Sequence, residues 1–73
     1  MNMDNLTPQQ LVVVGLVLRG KTNKEIGGHL GLSEKTIKAH ITNIFKKLEC
    51  KTRSQLIARH YLERANDHPR TDG

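Results

Sequence analysis

Ile37, Ile41, Ile44 and Leu48 recur at steps of four, three and four residues, with Phe45 beside them, the spacing of one α-helical face turned toward a core. The positions between them are polar. Lys35, Lys38, Ala39, Thr42 and Lys46 fall at i, i+3, i+4, i+7 and i+11 and form a second, outward face of cations, a hydroxyl and one small residue. Thr36, His40, Asn43 and Lys47 fill the flank between the two faces. The long polar side chains of the stretch Ser33–Leu48 can therefore all reach one external surface, and a helix divided in this way can be anchored on one side while it lies against a polyanion on the other.

The pattern predicts three further helices and no strand. Thr7 as N-cap, Pro8 at the first helical position, Gln10 three residues after the cap, and Leu6 with Leu11 as a staple start a helix running from Pro8 to about Arg19, ended by Gly20. Its apolar run Leu11–Leu18, broken by Gly15, is too extensive for a half-exposed helix. Val13, Val14, Val17 and Leu18 are assigned to the core; Leu11 and Val12 are left as an exposed apolar surface or a docking patch for another domain. Thr22 and Glu25 form a second capping box, predicting a helix over 23–30 with Ile26 and Leu30 as core contacts. Gly27 is read as permitting close helix approach and Gly28 as tolerated. Gly31 takes the left-handed position and Ser33 caps the next helix, so the turn between them is about three residues long.

A box over Thr52–Gln55 opens the last helix, which carries Leu56, Ile57, Ala58, Tyr61 and Leu62 and fades near Arg64. Leu62 and Ala58, with one of Leu56 and Ile57, are expected to close the core, and the rest of the arc to meet a second copy of the domain. The expected organisation is a flexible lead-in over 1–5, a domain over 6–64 and a flexible tail over 65–73.

Seventy-three residues make one small domain with a thin core. The net charge of +5 becomes informative once located: residues 21–53 hold eight Lys/Arg against three Glu, and the remainder balances four against four. Basic residues concentrated on one element are the footprint of a nucleic-acid surface. With Phe45 and Tyr61 as its aromatic residues and no tryptophan, the chain lacks stacking platforms for single strands, which leaves duplex DNA. Cys50 has no second cysteine to pair with, and no apolar run is long enough for a signal peptide or a membrane span, so a cytoplasmic location is expected. His40 has no His, Cys or carboxylate at ligand spacing on its helix. Paired acids, glycine-rich phosphate loops and nucleophile motifs are absent too, so no enzyme activity, metal or cofactor is expected.

Two helices joined by a short glycine-containing turn, the second amphipathic and cationic, match the helix-turn-helix plan, here over 23–42, in which the second helix enters the major groove. Lys38, Ala39 and Thr42, in the middle of the outward face, are the expected base contacts. Lysine suits guanine O6 and N7, and the methyls of Ala39 and Thr42 suit thymine methyls. Lys24, Lys35, Thr36, His40, Asn43, Lys46, Lys47 and Arg53 are the expected phosphate contacts. Leu56, Ile57, His60 and Tyr61 are the expected dimer interface.

The segments Leu6-Thr7-Pro8, Gly20-Lys21-Thr22-Asn23-Lys24-Glu25-Ile26, Leu32-Ser33-Glu34-Lys35-Thr36-Ile37-Lys38-Ala39-His40 and Lys47-Leu48 resemble the LuxR/FixJ-type DNA-binding domain over roughly residues 6–62. The resemblance implies an all-α, four-helix domain of a bacterial transcription regulator, with the third helix reading DNA and the fourth pairing two copies on an inverted-repeat operator. It also implies an N-terminal regulatory domain, a phosphorylatable receiver or an autoinducer-binding domain, in most such proteins; RNA polymerase is a further partner open to such a regulator, and a membrane is not. Gln10 stands where that family usually has Glu, which replaces an expected ion pair by a neutral hydrogen bond. Gly27 stands for the usual alanine, Leu11 and Val12 for polar residues, and Cys50 for a branched aliphatic, which favours a buried core role over a redox sensor. The competing readings are a sigma-factor promoter-recognition domain, against which the capped fourth helix argues, and a protein-interaction module that binds an acidic partner through the same cationic face.

Overall fold

The computed structural model describes residues 3–67. Among them are four helices and no strand: α1 Pro8–Leu18, α2 Asn23–Leu30, α3 Glu34–Leu48 and α4 Arg53–Asp67. Helix α3 packs against both α1 and α2, and α4 packs against α1. The most deeply buried large side chains are Val13 and Val17 of α1, Ile26 of α2, Ile37 and Ile44 of α3 and Leu56 of α4, so every helix contributes to one core. The buried residues of α3 are Ile37, Ile41, Ile44 and Leu48, the four picked out by the apolar spacing.

Local chemistry sets where the helices begin. Thr7 Oγ1 accepts from Gln10 N–H at 3.1 Å and Gln10 Oε1 accepts from Thr7 N–H at 2.9 Å. Thr22 and Glu25 make the same reciprocal pair at 3.1 and 2.8 Å, and Ser33 Oγ accepts from Thr36 N–H. These bonds satisfy backbone donors that a helix start leaves without partners. The Glu25 carboxyl is held below the usual carboxylate range, first by the Thr22 backbone N–H, then by the Thr22 hydroxyl and Lys21. Because the folded-state value is depressed, the resulting stability is present above the unfolded pKa and lost as pH falls through the folded one. The expected box at α4 forms by half. Thr52 Oγ1 accepts from Gln55 N–H at 3.0 Å, while Gln55 Oε1 turns back one residue further and accepts from Lys51 N–H.

Helix ends follow one device with different residues. Gly20, with φ of 83°, and Gly31, with φ of 70°, take the left-handed conformation after α1 and α2. After α3 that position is occupied by Glu49, with φ of 57°, and Cys50 N–H bonds back to the Phe45 carbonyl.

Several expectations about packing need correction. In α1, Leu16 is buried and Leu18 is half-buried, because α1 is covered by α2, α3 and α4 and its buried arc is wider than one face. Leu11 and Val12 are exposed, at 44% and 47%, as expected. In α4, Leu56 is fully buried whereas Ala58 and Leu62 are exposed. At 3.6 residues per turn, once Leu56 points inward, positions two and six residues later fall on the far side. The helix also runs past Arg64 to Asp67, so 65–67 are helical; the rest of the expected tail, and residues 1–2 of the lead-in, lie outside the described residues. The described part of the lead-in is bound in place: Met3 packs on the core, its carbonyl accepts from Leu6 N–H, and the Asn5 carbonyl accepts from Lys47 Nζ at 3.1 Å. Cys50 is buried, with Sγ 3.7 Å from the Leu48 carbonyl.

A left-handed non-glycine residue costs about 1–2 kcal/mol, and glycine gives back part of that gain through its freer unfolded state. Replacing Glu49→Gly is therefore expected to stabilise the domain by about 0.5–1 kcal/mol, a rise of roughly 3–6 °C in Tm for a domain of this size. Thermal unfolding followed by circular dichroism checks this, and an unchanged or lowered Tm would refute it.

Candidate nucleic-acid interface

The turn between α2 and α3 is drawn in tightly. A Cβ on Gly27 would lie 2.5 Å from the Leu32 carbonyl oxygen and 3.5 Å from Glu34 N; the Leu32 N–H also bonds to the Gly27 carbonyl at 2.9 Å. The glycine thus allows the close approach expected of it, and the turn closes into space that an alanine methyl would occupy. At Gly28 a side-chain methyl would meet nothing within 4 Å, so that glycine is merely tolerated. Ile26 and Ile37, both fully buried, fix the two helices to the same core, which sets the direction of the opposite face of α3.

That opposite face is open. Lys35, Lys38, Ala39, Thr42 and Lys46 are all exposed, as are Thr36 and Asn43 on the flank and Lys24 on α2, while His40 is half-buried. Among the described residues no side-chain hydrogen bond or ion pair holds the ammonium groups of Lys24, Lys35, Lys38 or Lys46. Thr36 Oγ1 accepts from the Ser33 hydroxyl at 2.8 Å, which leaves its own proton available to an oxygen acceptor. Thr42 Oγ1 donates to the Lys38 carbonyl at 3.0 Å.

Two of the cations expected at phosphates are already engaged within the chain. Lys47 Nζ donates to Gln10 Oε1 at 2.9 Å and to the Asn5 carbonyl, joining the end of α3 to the start of α1. Because Gln10 is a neutral amide, this contact is a hydrogen bond from a charged donor and not an ion pair. Arg53 is half-buried and donates to Asn23 Oδ1 at 2.6 Å and to the Lys21 carbonyl at 2.7 Å, tying the start of α4 to the start of α2. Arg59, which sequence reasoning passed over, donates to the carbonyls of Leu48 at 2.6 Å and Glu49 at 3.0 Å and so closes the end of α3. Its signal was its placement roughly one and a half turns into the helix that follows the α3 terminus, where a long cation can reach free carbonyls.

This arrangement of helices and turn has known counterparts. A family model, GerE, described as bacterial regulatory proteins of the luxR family, matches residues 4–60. The chain belongs to the luxR family. It is 48% identical over 52 residues to the transcriptional regulatory protein LiaR of Bacillus subtilis, a match covering 71% of this chain and 25% of LiaR. It is 44% identical over 52 residues to the spore germination protein GerE of the same organism, covering 71% of this chain and 70% of GerE. It is 38% identical over 60 residues to the monoamine regulon transcriptional regulator of Klebsiella aerogenes, covering 82% of this chain and 26% of that protein. The chain thus spans about a quarter of the length of LiaR and of the Klebsiella regulator. The family is one of DNA-binding transcription regulators with a helix-turn-helix, and the all-α architecture is that of a LuxR-type domain.

In this luxR-family domain the residues expected at a dimer interface divide. Leu56 belongs to the domain's own core, Ile57 and His60 are half-buried, and Tyr61 is 57% exposed. The Tyr61 ring meets the His60 ring edge-on, with centroids 5.3 Å apart. Leu62, 65% exposed, joins this surface instead of the core. A surface concavity lined by Leu16, Lys21, Glu25 and His29 contains none of the residues expected at DNA. Among the described residues, no group of three or more His, Cys, Asp or Glu could hold a metal ion, and no helix is long and apolar enough to cross a membrane.

The difference between an engaged and an open lysine is measurable on adjacent residues. Lys46→Met is expected to leave Tm unchanged and to lower the salt slope of duplex binding by about 0.9, one phosphate contact. Lys47→Met is expected to leave that slope nearly unchanged and to destabilise the fold by about 1–2 kcal/mol, through lost bonds from a charged donor. Equal slope changes in the two variants, with equal Tm, would overturn the distinction.

Proposed function

We propose that this domain reads duplex DNA in a sequence-specific manner for a bacterial transcription regulator, with α3 in the major groove, and that two copies bind an inverted-repeat operator. The observation that carries the proposal is the row of open cations, Lys35, Lys38 and Lys46, around exposed Ala39 and Thr42 on the side of α3 opposite its buried isoleucines. Lys35, Lys46 and Lys24, the Thr36 hydroxyl, His40 and Asn43 supply phosphate contacts that set register, while Lys38, Ala39 and Thr42 meet base edges. Lys47 and Arg53 hold the frame on which those contacts sit. A regulatory domain and RNA polymerase are the protein partners of such a regulator.

The surface of α4 formed by Ile57, His60, Tyr61 and Leu62 supplies the contact between copies. Its apolar side chains are more exposed than the core requires, and an aromatic beside aliphatics is the composition of an interface centre.

Lys38→Ala is expected to relax discrimination at one base position by about 1–3 kcal/mol. Binding selection from a random duplex library reads this directly, and an unchanged site preference would remove Lys38 from the base-reading set. Tyr61→Glu is expected to abolish cooperative loading of two copies on the selected site while leaving the helical content intact. If the variant still loads two copies with wild-type cooperativity, the α4 pairing surface is wrong. Strong but unselective wild-type binding would reduce α3 to a phosphate clamp, and indifference to duplex would move the search to an acidic protein partner.

A further inference from the structure

Thr42 carries two groups able to meet a base edge, a hydroxyl and a γ-methyl, and they read different chemistry. The hydroxyl can donate to guanine or thymine oxygens and accept from adenine or cytosine amino groups. The methyl suits the thymine 5-methyl. In the structure the Thr42 hydroxyl donates to the carbonyl of Lys38, one turn earlier, at 3.0 Å. That carbonyl is already part of the helix backbone ladder, so the bond is made on the helix itself and needs no partner from outside. Two consequences follow from the geometry of a β-branched side chain. The single hydroxyl proton is spent, which leaves Oγ1 no donor for a guanine or thymine oxygen and only its lone pairs for an amino group. Fixing Oγ1 also fixes Cγ2, because both hang on the same Cβ and the side chain has one rotatable bond to heavy atoms.

The surroundings favour the methyl. Ala39, three residues earlier and also exposed, places a second methyl on the same face, since residues at i and i+3 have Cβ atoms about 5–6 Å apart. Lys38 and Lys46, both exposed, flank this pair. The exposed part of α3 therefore carries two methyl-bearing residues, Ala39 and Thr42, set among cations.

We propose that Thr42 is a specificity-determining residue that reads thymine through its methyl group, with its hydroxyl acting on the helix and not on the base. The ligand class is a duplex half-site that presents a thymine 5-methyl in the major groove opposite Thr42. This rests on the reading of α3 as the base-contacting helix and adds to it the chemical group by which one position is read. Threonine acts here as a locked valine.

The test separates the two groups on both partners. A half-site is first selected from a random duplex library with the wild-type domain, and each of its thymines is then replaced singly by deoxyuridine, which removes the 5-methyl and leaves every hydrogen-bonding group in place. Affinities are measured for wild type, Thr42→Val, which keeps a methyl and loses the hydroxyl, and Thr42→Ser, which keeps the hydroxyl and loses the methyl. At one thymine, the wild type and Thr42→Val are expected to lose about fourfold in affinity on deoxyuridine, the equivalent of one buried methyl. Thr42→Ser is expected to bind the two duplexes equally.

A Thr42→Val domain that loses the site preference while Thr42→Ser keeps it would assign the reading to the hydroxyl and overturn the proposal. So would a selected site with no thymine whose methyl matters to the wild type. Either result leaves α3 as a DNA reader. Failure of the wild type to enrich any sequence is a different outcome, which overturns the underlying reading of α3 together with the proposal.

Discussion

The burial of one face of α3 fixes the rest of the molecule. A helix of 15 residues is marginal in water by itself, and this one persists because Ile37, Ile41, Ile44 and Leu48 are driven out of solvent, each worth about 1.5–3 kcal/mol when fully buried. The same burial determines what the helix shows. Once the isoleucine face is seated on α1 and α2, the helical period leaves Lys35, Lys38, Ala39, Thr42 and Lys46 with one direction to face. The exposed cationic face is thus specified by the residues buried on the opposite side of the helix. The tight approach of Gly27 to the α3 entrance keeps α2 and α3 in one fixed relation.

A core of this size leaves helix ends poorly covered, and the chain closes them with long cationic side chains. Lys47 joins α3 to the start of α1 and to the segment before it, Arg53 joins α4 to the start of α2, and Arg59 reaches back from α4 to the carbonyls that end α3. The Arg59 bonds meet carbonyls that the end of α3 leaves without helical partners, whereas the Lys47 and Arg53 bonds tie helix starts to neighbouring elements through a side-chain amide and the carbonyls that precede them. They also explain how Glu49 is kept in a left-handed conformation: Arg59 holds its carbonyl, and Cys50, buried next to it, anchors the chain as it leaves.

Most of the fold was legible because the sequence states it redundantly. Thr7 with Gln10 and Thr22 with Glu25 mark two helix starts, Gly20 and Gly31 mark two ends, and the isoleucine spacing marks the buried face of α3. The exposed row on α3 follows from that spacing by exclusion. What escaped was decided by tertiary packing. On α4, Leu56 and Leu62 are equally apolar, and only the contact with α1 shows that the first is core and the second surface. On α1 the run of valines and leucines does not say that three helices will cover it, and so does not mark Leu16 as more deeply buried than Leu18. Lys47 and Arg53 read as open cations because a lysine or arginine carries no mark in sequence of the carbonyl it will meet.

The acceptors chosen by those engaged cations matter for the charge of the whole domain. Lys47, Arg53 and Arg59 bond to backbone carbonyls and to the neutral amides of Gln10 and Asn23, so none of their charge is cancelled by these contacts. A Glu at position 10, the residue usual in the resembled family, would tighten the bond to Lys47 through a second charge but would neutralise it. With glutamine there, Lys47 is held in place while its field remains. Over a Debye length of about 8 Å at physiological salt, such fixed cations still raise the local potential that draws in a polyanion, even where they make no phosphate contact. Engaged and open lysines therefore differ in what they touch, yet both belong to the excess of positive charge between residues 21 and 53, and the use of neutral partners is what allows one set of side chains to support the fold without subtracting from the positive field of the other.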